Sequence, residues 1–246
     1  MKTAKYGGLP PSFISFIILF TCACTTFFVI GNAFCKEEYP NAATSVKTND
    51  PITIIIDAGH GGEDGGTVGV DGTIEKDINL SISFILHDLF TASGYDVVMT
   101  RTQDIMLYDR NTDFKGRKKA LDLSTRVKMA KEHDNAIFIS IHMNSFPDPK
   151  YSGLQVYYSK NSSDSSLLAK NVQEEVRLLL QEDNEREIKP AGSSIFVLDR
   201  LNIPAILIEC GFLSNPGECA RLADNSYQKK LALSIYLASI KYLESP

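Results

Sequence analysis

Six short runs rich in aliphatic and β-branched residues alternate with four longer segments of helical period, and that alternation leaves few architectures open. The strand-like runs are 52–56, 95–100, 136–141, 154–159, 195–198 and 205–209; the helix-like segments are 75–92, roughly 117–132, 163–181 and 227–243. Strand and helix alternating at this spacing predict an α/β fold, with a largely parallel or mixed central sheet flanked by helices on both faces. Residues 51–246 suffice for one such domain, and in these sheets ligands gather at the carboxyl ends of the strands.

The N-terminus follows a different pattern. After Lys2 and Lys5 no charge occurs before Lys36, and residues 13–30, "FISFIILFTCACTTFFVI", are almost wholly apolar. Gly31 and Ala33 fit a small-x-small cleavage pattern for a signal peptide cut near Phe34. The apolar core also approaches the ~18 residues that span a bilayer, so an uncleaved membrane anchor stands beside the signal peptide as a second reading. Under both, basic residues before the segment and Lys36-Glu37-Glu38 after it place the remaining chain outside the cytoplasm. Residues 1–35 are thus expected to form the leader, and 36–50, without hydrophobic periodicity, a linker. Only Cys210 and Cys219 lie beyond the leader region, too few for a disulfide framework. A net charge of −5, with no basic cluster beyond Arg117-Lys118-Lys119, argues against nucleic acid as a partner.

The stretch "IIIDAGHGGEDGGTVG" places Asp57 and His60 at the end of the first strand-like run. The glycine spacing does not match a dinucleotide loop, since position 64 is Asp64, and no Gly-Lys-Ser follows for a phosphate loop. Glu63 and Asp64 would also repel phosphate. An acid and an imidazole at a strand end instead suit a divalent cation, with glycines letting the chain turn around it. Two further strand ends carry matching groups. "AIFISIHMNS" delivers His142 on the face of Phe138 and Ser140, and "AILIECGFLSN" delivers Glu209 on the face of Ala205 and Leu207, with Cys210 pointing away. A lone carboxylate entering so apolar a run is costly to bury without a partner. His87 beside Asp88, and His133 in "KEHD", read as solvated or capping groups.

Together "IIIDAGHGGEDGGTVG", "EKDINL", "TRTQD", "FISIHMNS" and "IPAILIECGFLSN" resemble, in family order, the zinc-dependent N-acetylmuramoyl-L-alanine amidases of the amidase_3 family, which cleave bacterial peptidoglycan. The resemblance covers about residues 51–243 and implies one zinc ion held by His60, Glu75 and His142, with Glu209 as the catalytic carboxylate. Arg126, in "STRVKMA", matches the family's arginine before the third strand. The short exported build without wall-binding repeats resembles the spore-cortex branch, whose products become muramic δ-lactam. That implies peptidoglycan as substrate and a location outside the cytoplasm, secreted or anchored, such as the forespore intermembrane space. An activating protein partner is also compatible with it.

On the residues alone, Glu63 and Glu75 both remain open as the third ligand. Glu75 is favoured because it opens a helix, whereas Glu63 lies between flexible glycines. Two imidazoles and a carboxylate would leave one zinc position for water, whose proton Glu209 can take. Asp57 is a candidate to orient the His60 ring, and Asn79 and Asn144 are candidate substrate or supporting contacts. Residues 105–123 make a longer charged connection than the fold requires, suited to a flap or a partner surface. The alternatives are a zinc deacetylase of wall glycan and a catalytically silent wall-binding relative.

Overall fold

The computed structural model describes residues 51–109, 111 and 115–245; the expected leader and linker, and part of the 105–123 connection, lie outside the described residues. A six-stranded sheet forms from β1 (Thr53–Ala58), β2 (Asp96–Met99), β3 (Ala136–Asn144), β4 (Gln155–Tyr158), β5 (Lys189–Pro190) and β6 (Ala205–Phe212), in the order β2-β1-β3-β6-β4-β5. β2, β1, β3 and β6 run parallel, and β4 turns antiparallel to β6 with β5 parallel to it. The sheet is therefore mixed. Five helices accompany it among the described residues: α1 (Glu75–Ala92), α2 (Lys118–Ala130), α3 (Asp164–Leu179), α4 (Pro216–Ala223) and α5 (Asn225–Leu243). None of them is long and apolar enough to cross a membrane.

Ile54, Ile55 and Ile56 have no solvent exposure, as expected of a central parallel strand covered on both faces. Ile54 and Ile56 join Ile139, Ile206 and Ile208 beneath α1, α3 and α5. On α1, Ile78, Ile82, Leu86 and Phe90 repeat every four residues and make one apolar stripe against that core. Ile55, Phe138 and Ala205 face the opposite side, against Val127 and Ala130 of α2 and the 3-10 turn Leu198–Arg200. Cys210 is fully buried in the first cluster, on the side its alternation indicates.

The expected strand at 195–198 is not one. The segment folds into turns closed by Ile195 N–H to Gly192 and Asp199 N–H to Ile195, and its apolar side chains cover the α2 side of the core. Four apolar residues in a row carry no period, so burial alone cannot separate strand from turn. The edge position belongs to Lys189–Pro190, where proline's missing N–H costs no ladder bond. Helix α4, absent from the pattern reading, has a local signal in its sequence. Asn215 caps it by accepting from Glu218 N–H, and Pro216 occupies its first turn.

Candidate metal centre

The carboxyl ends of β1, β3 and β6 lie side by side, and β3–β6 register pairs His142 directly with Glu209. Beyond β1 the chain leaves Ala58 and Gly59 and turns at His60, which adopts a left-handed φ of 61°. That conformation costs a non-glycine residue on the order of 1–2 kcal/mol, and two buried arginines hold it in place. Arg126 donates to the carbonyls of Ala58 and His60 at 2.8 and 2.7 Å, and Arg101 to those of Ala58 and Gly59 at 2.9 and 3.0 Å. Three successive carbonyls are thereby fixed. The glycines serve close approach: a Cβ on Gly59 would run into the His142 ring, and one on Gly66 into the Glu75 carboxylate.

Glu75 is buried at the first turn of α1, and its carboxylate is held from both sides. Thr67 N–H donates to Oε2 at 2.7 Å, and Met143 N–H to Oε1 at 3.0 Å. His60 Nε2 and His142 Nδ1 approach that same Oε1 at 3.2 and 3.0 Å, with the two rings edge to face at 4.9 Å. Each of these residues offers one ligand atom, and the three atoms lie within 4.8 Å of one another. Bonds of 2.0–2.1 Å in tetrahedral array set ligand atoms about 3.3 Å apart, so this group could hold a metal ion. Burial would raise the Glu75 pKa, but the two imidazoles outweigh it and hold the carboxyl well below its usual range. Burial would lower His60, yet Asp64 and Glu75 raise it to about 9. The cluster is a concentrated negative field, suited to a cation.

Glu209 stands beside this group. Burial raises its pKa, with His142 and His60 pulling the other way and Glu75 adding to the rise. Its Oε2 is buried without a hydrogen-bond partner among the described residues. Glu209 lines a cavity of about 220 Å³ together with His60, His142, Leu123, Ile195 and Phe196.

Asp57 does not orient the His60 ring. Its carboxylate is consumed by Arg126 Nη1 at 2.6 Å, Ser140 Oγ at 2.6 Å and Thr100 Oγ1 at 2.7 Å. The acid beside His60 is Asp64, whose Oδ2 lies 3.0 Å from Nδ1 at charge-pairing distance, outside hydrogen-bond geometry. Lys119 approaches the same oxygen of Asp64 at 3.2 Å. Asn79, fully buried on α1, donates to the Gly59 carbonyl at 3.1 Å. Asn144 turns its side chain back on Ser145 N–H. Glu63 lies in the exposed part of the loop and pairs with Lys118. His87 pairs with Asp88 at the surface, away from the cluster. Sequence reading missed Asp64, four residues after His60, and Arg101, although "TRTQD" contains it.

The profile of the Amidase_3 family, described as N-acetylmuramoyl-L-alanine amidase, matches residues 54–241. The chain is 38% identical over 189 residues to the germination-specific N-acetylmuramoyl-L-alanine amidase of Bacillus subtilis, covering 77% of this chain and 78% of that protein. Among solved structures it resembles the CwlD amidase of Clostridioides difficile in complex with the GerS lipoprotein, with 44% identity and a TM-score of 0.75 over 78% of this chain and 98% of that one. It also resembles the amidase AmiC2 of Nostoc punctiforme, at 29% identity and a TM-score of 0.68 over 79% of this chain and 98% of the other. The profile takes in the sheet from the second residue of β1 to the end of β6 and nearly all of the helices, and on that extent the chain belongs to the N-acetylmuramoyl-L-alanine amidase family.

Proposed function

We propose that the chain hydrolyses the amide bond between the lactyl group of N-acetylmuramic acid and L-alanine in peptidoglycan, using one zinc ion held by His60, Glu75 and His142. The observation that supports this most directly is the convergence of those three ligand atoms beside the unpartnered carboxylate oxygen of Glu209. Zinc in such a site supplies a Lewis acid and lowers the pKa of water to about 7. Glu209 takes a proton from the attacking water and returns it to the departing alanine nitrogen, leaving a lactyl carboxylic acid on the sugar and a free peptide amino terminus. Its raised pKa fits a group that must both accept and release a proton. Asp64 steadies the His60 ring, and Arg101, Arg126 and Asn79 hold the backbone from which His60 projects.

The germination-specific relative and the CwlD amidase support a role in maturing spore cortex, with muramic δ-lactam as the later product. The apolar leader supports a location outside the cytoplasm, either secreted or membrane-anchored. The CwlD structure contains a second protein, and a protein partner for this chain is part of the same proposal. Digestion of purified muropeptides followed by mass spectrometry tests the reaction. Release of free stem peptides and intact glycan is expected; release of acetate with the peptides still attached would make the chain a deacetylase, and no product at all would make it a silent relative.

A further inference from the structure

The cavity that Glu209 lines has two kinds of wall. Most of its polar side chains are already spent on one another: Arg126 bonds Asp57 and Asp122, Ser140 bonds Asp57, and Lys119 pairs with Asp64. Glu209, His60 and His142 are the groups left to act on a substrate. The other wall is apolar, from Leu123 of α2, Ile195 and Phe196 of the turn, and Leu207 of β6. All four are half-buried, packed in part on the α2 side of the core. Leu207 precedes Glu209 by two residues on the same face of β6, so apolar surface begins directly beside the carboxylate. Phe196 is held in place: the Arg200 guanidinium carbon lies 3.5 Å from its ring centre, and Arg200 Nη1 donates to its carbonyl at 3.2 Å.

A bond cleaved by Glu209 brings its flanking atoms into this same cavity. Its volume of about 220 Å³ is small against the roughly 300–1,000 Å³ that enclose whole ligands, so it takes a fragment of the polymer and leaves the sugar ring and the outer stem outside. On each side of the scissile amide that fragment is a carbon bearing one methyl, lactyl on the acyl side and alanyl on the amine side. An apolar wall gains from burying a methyl and loses by burying a polar group without a partner. We propose that Phe196, with Ile195, Leu123 and Leu207, forms a subsite for a methyl flanking the scissile amide and sets the substituent accepted there. The inference rests on the amidase reading and gives the turn at 195–198 a part in its specificity.

The test uses the full-length protein with zinc and three muramoyl peptides: the parent, one with glycine as first residue, and one whose lactyl ether is replaced by the methyl-free carboxymethyl ether. Wild type is expected to lose at least about tenfold in kcat/KM on one or both methyl-free substrates, the scale of one methyl in an apolar pocket. Loss on the glycine substrate assigns the alanyl methyl to the subsite, and loss on the carboxymethyl substrate the lactyl one. Phe196→Ala should erase that discrimination, cleaving the parent no faster than the substrate without the methyl, with zinc content unchanged. Phe196→Leu should keep part of it, and carries the comparison alone where Phe196→Ala does not fold. Equal wild-type rates on all three substrates overturn the inference and leave the amidase reading intact. A variant slowed on all three in the same proportion, with the wild-type ratios intact, also overturns it and gives Phe196 a purely structural part. No cleavage of the parent by wild type overturns the amidase reading and this inference together.

Discussion

Glu75 and Glu209 carry opposite environments in one small volume. Glu75 accepts from two backbone N–H groups and has two imidazole nitrogens at 3.0 and 3.2 Å, which keep it ionised. Glu209 is desolvated and has an oxygen without a partner. Their substitutions should therefore separate. Glu75→Ala should lose most bound zinc together with activity, because two histidines alone make a weak site. Glu209→Gln should keep near-stoichiometric zinc while turnover falls by at least ~10²-fold, the scale for losing a general base. Atomic absorption and muropeptide hydrolysis on the same preparations give both readouts; zinc lost from Glu209→Gln and retained by Glu75→Ala would reverse the roles. His60, His142 and Glu209 stood out because each lies within or just beyond an apolar strand, whereas Glu75, opening a helix, was favoured over Glu63 but not separated from it by the residues alone. Asp64 did not stand out, because a loop acid among glycines has no periodicity to betray where it points.

At the scale of elements, the link between α2 and β1 is a buried ion pair, with Asp57 and Arg126 each 2% exposed at the side chain. Burial alone would raise the Asp57 pKa; Arg126 and the hydroxyls of Ser140 and Thr100 outweigh it and leave the carboxyl below its ordinary value. A depressed folded-state pKa stabilises above the unfolded value of about 3.9, and that stability is lost as pH falls through the folded one. Asp57→Asn should cost about 3 kcal/mol near neutral pH, since it leaves a buried guanidinium under-compensated. The gap between the melting curves of the two proteins should begin to narrow only below about pH 4 and close as pH falls through the lower folded-state pKa. A gap that stays constant across the series would mean that the pair's charge contributes nothing. The sequence marked Asp57 as a site residue for the wrong reason: strand position revealed that it lies at the carboxyl end, but not that an arginine 69 positions away would take its oxygens. Helices α1 and α5 were readable to within two residues because their apolar stripes are long, whereas the turn at 195–198 and the eight-residue α4 were too short for a period to declare itself.

For the whole molecule, the basic residues before the apolar run 13–30 predict that the domain from Pro51 onward is reached by an impermeant protease added outside the cytoplasmic membrane. Protection in intact protoplasts with cleavage only after lysis would contradict this; in a sporulating cell the assay must expose the space between the two membranes. Glu75 and His142 stand 67 positions apart, and their meeting requires β1 and β3 to be in register. No fragment of the chain short of β3 contains the cluster. β1, α1 and β3 must therefore be assembled before the three side chains can converge on an ion. In refolding with a chromophoric chelator present, capture of zinc should lag the return of far-ultraviolet ellipticity; simultaneous recovery would show that the ion helps to nucleate the fold.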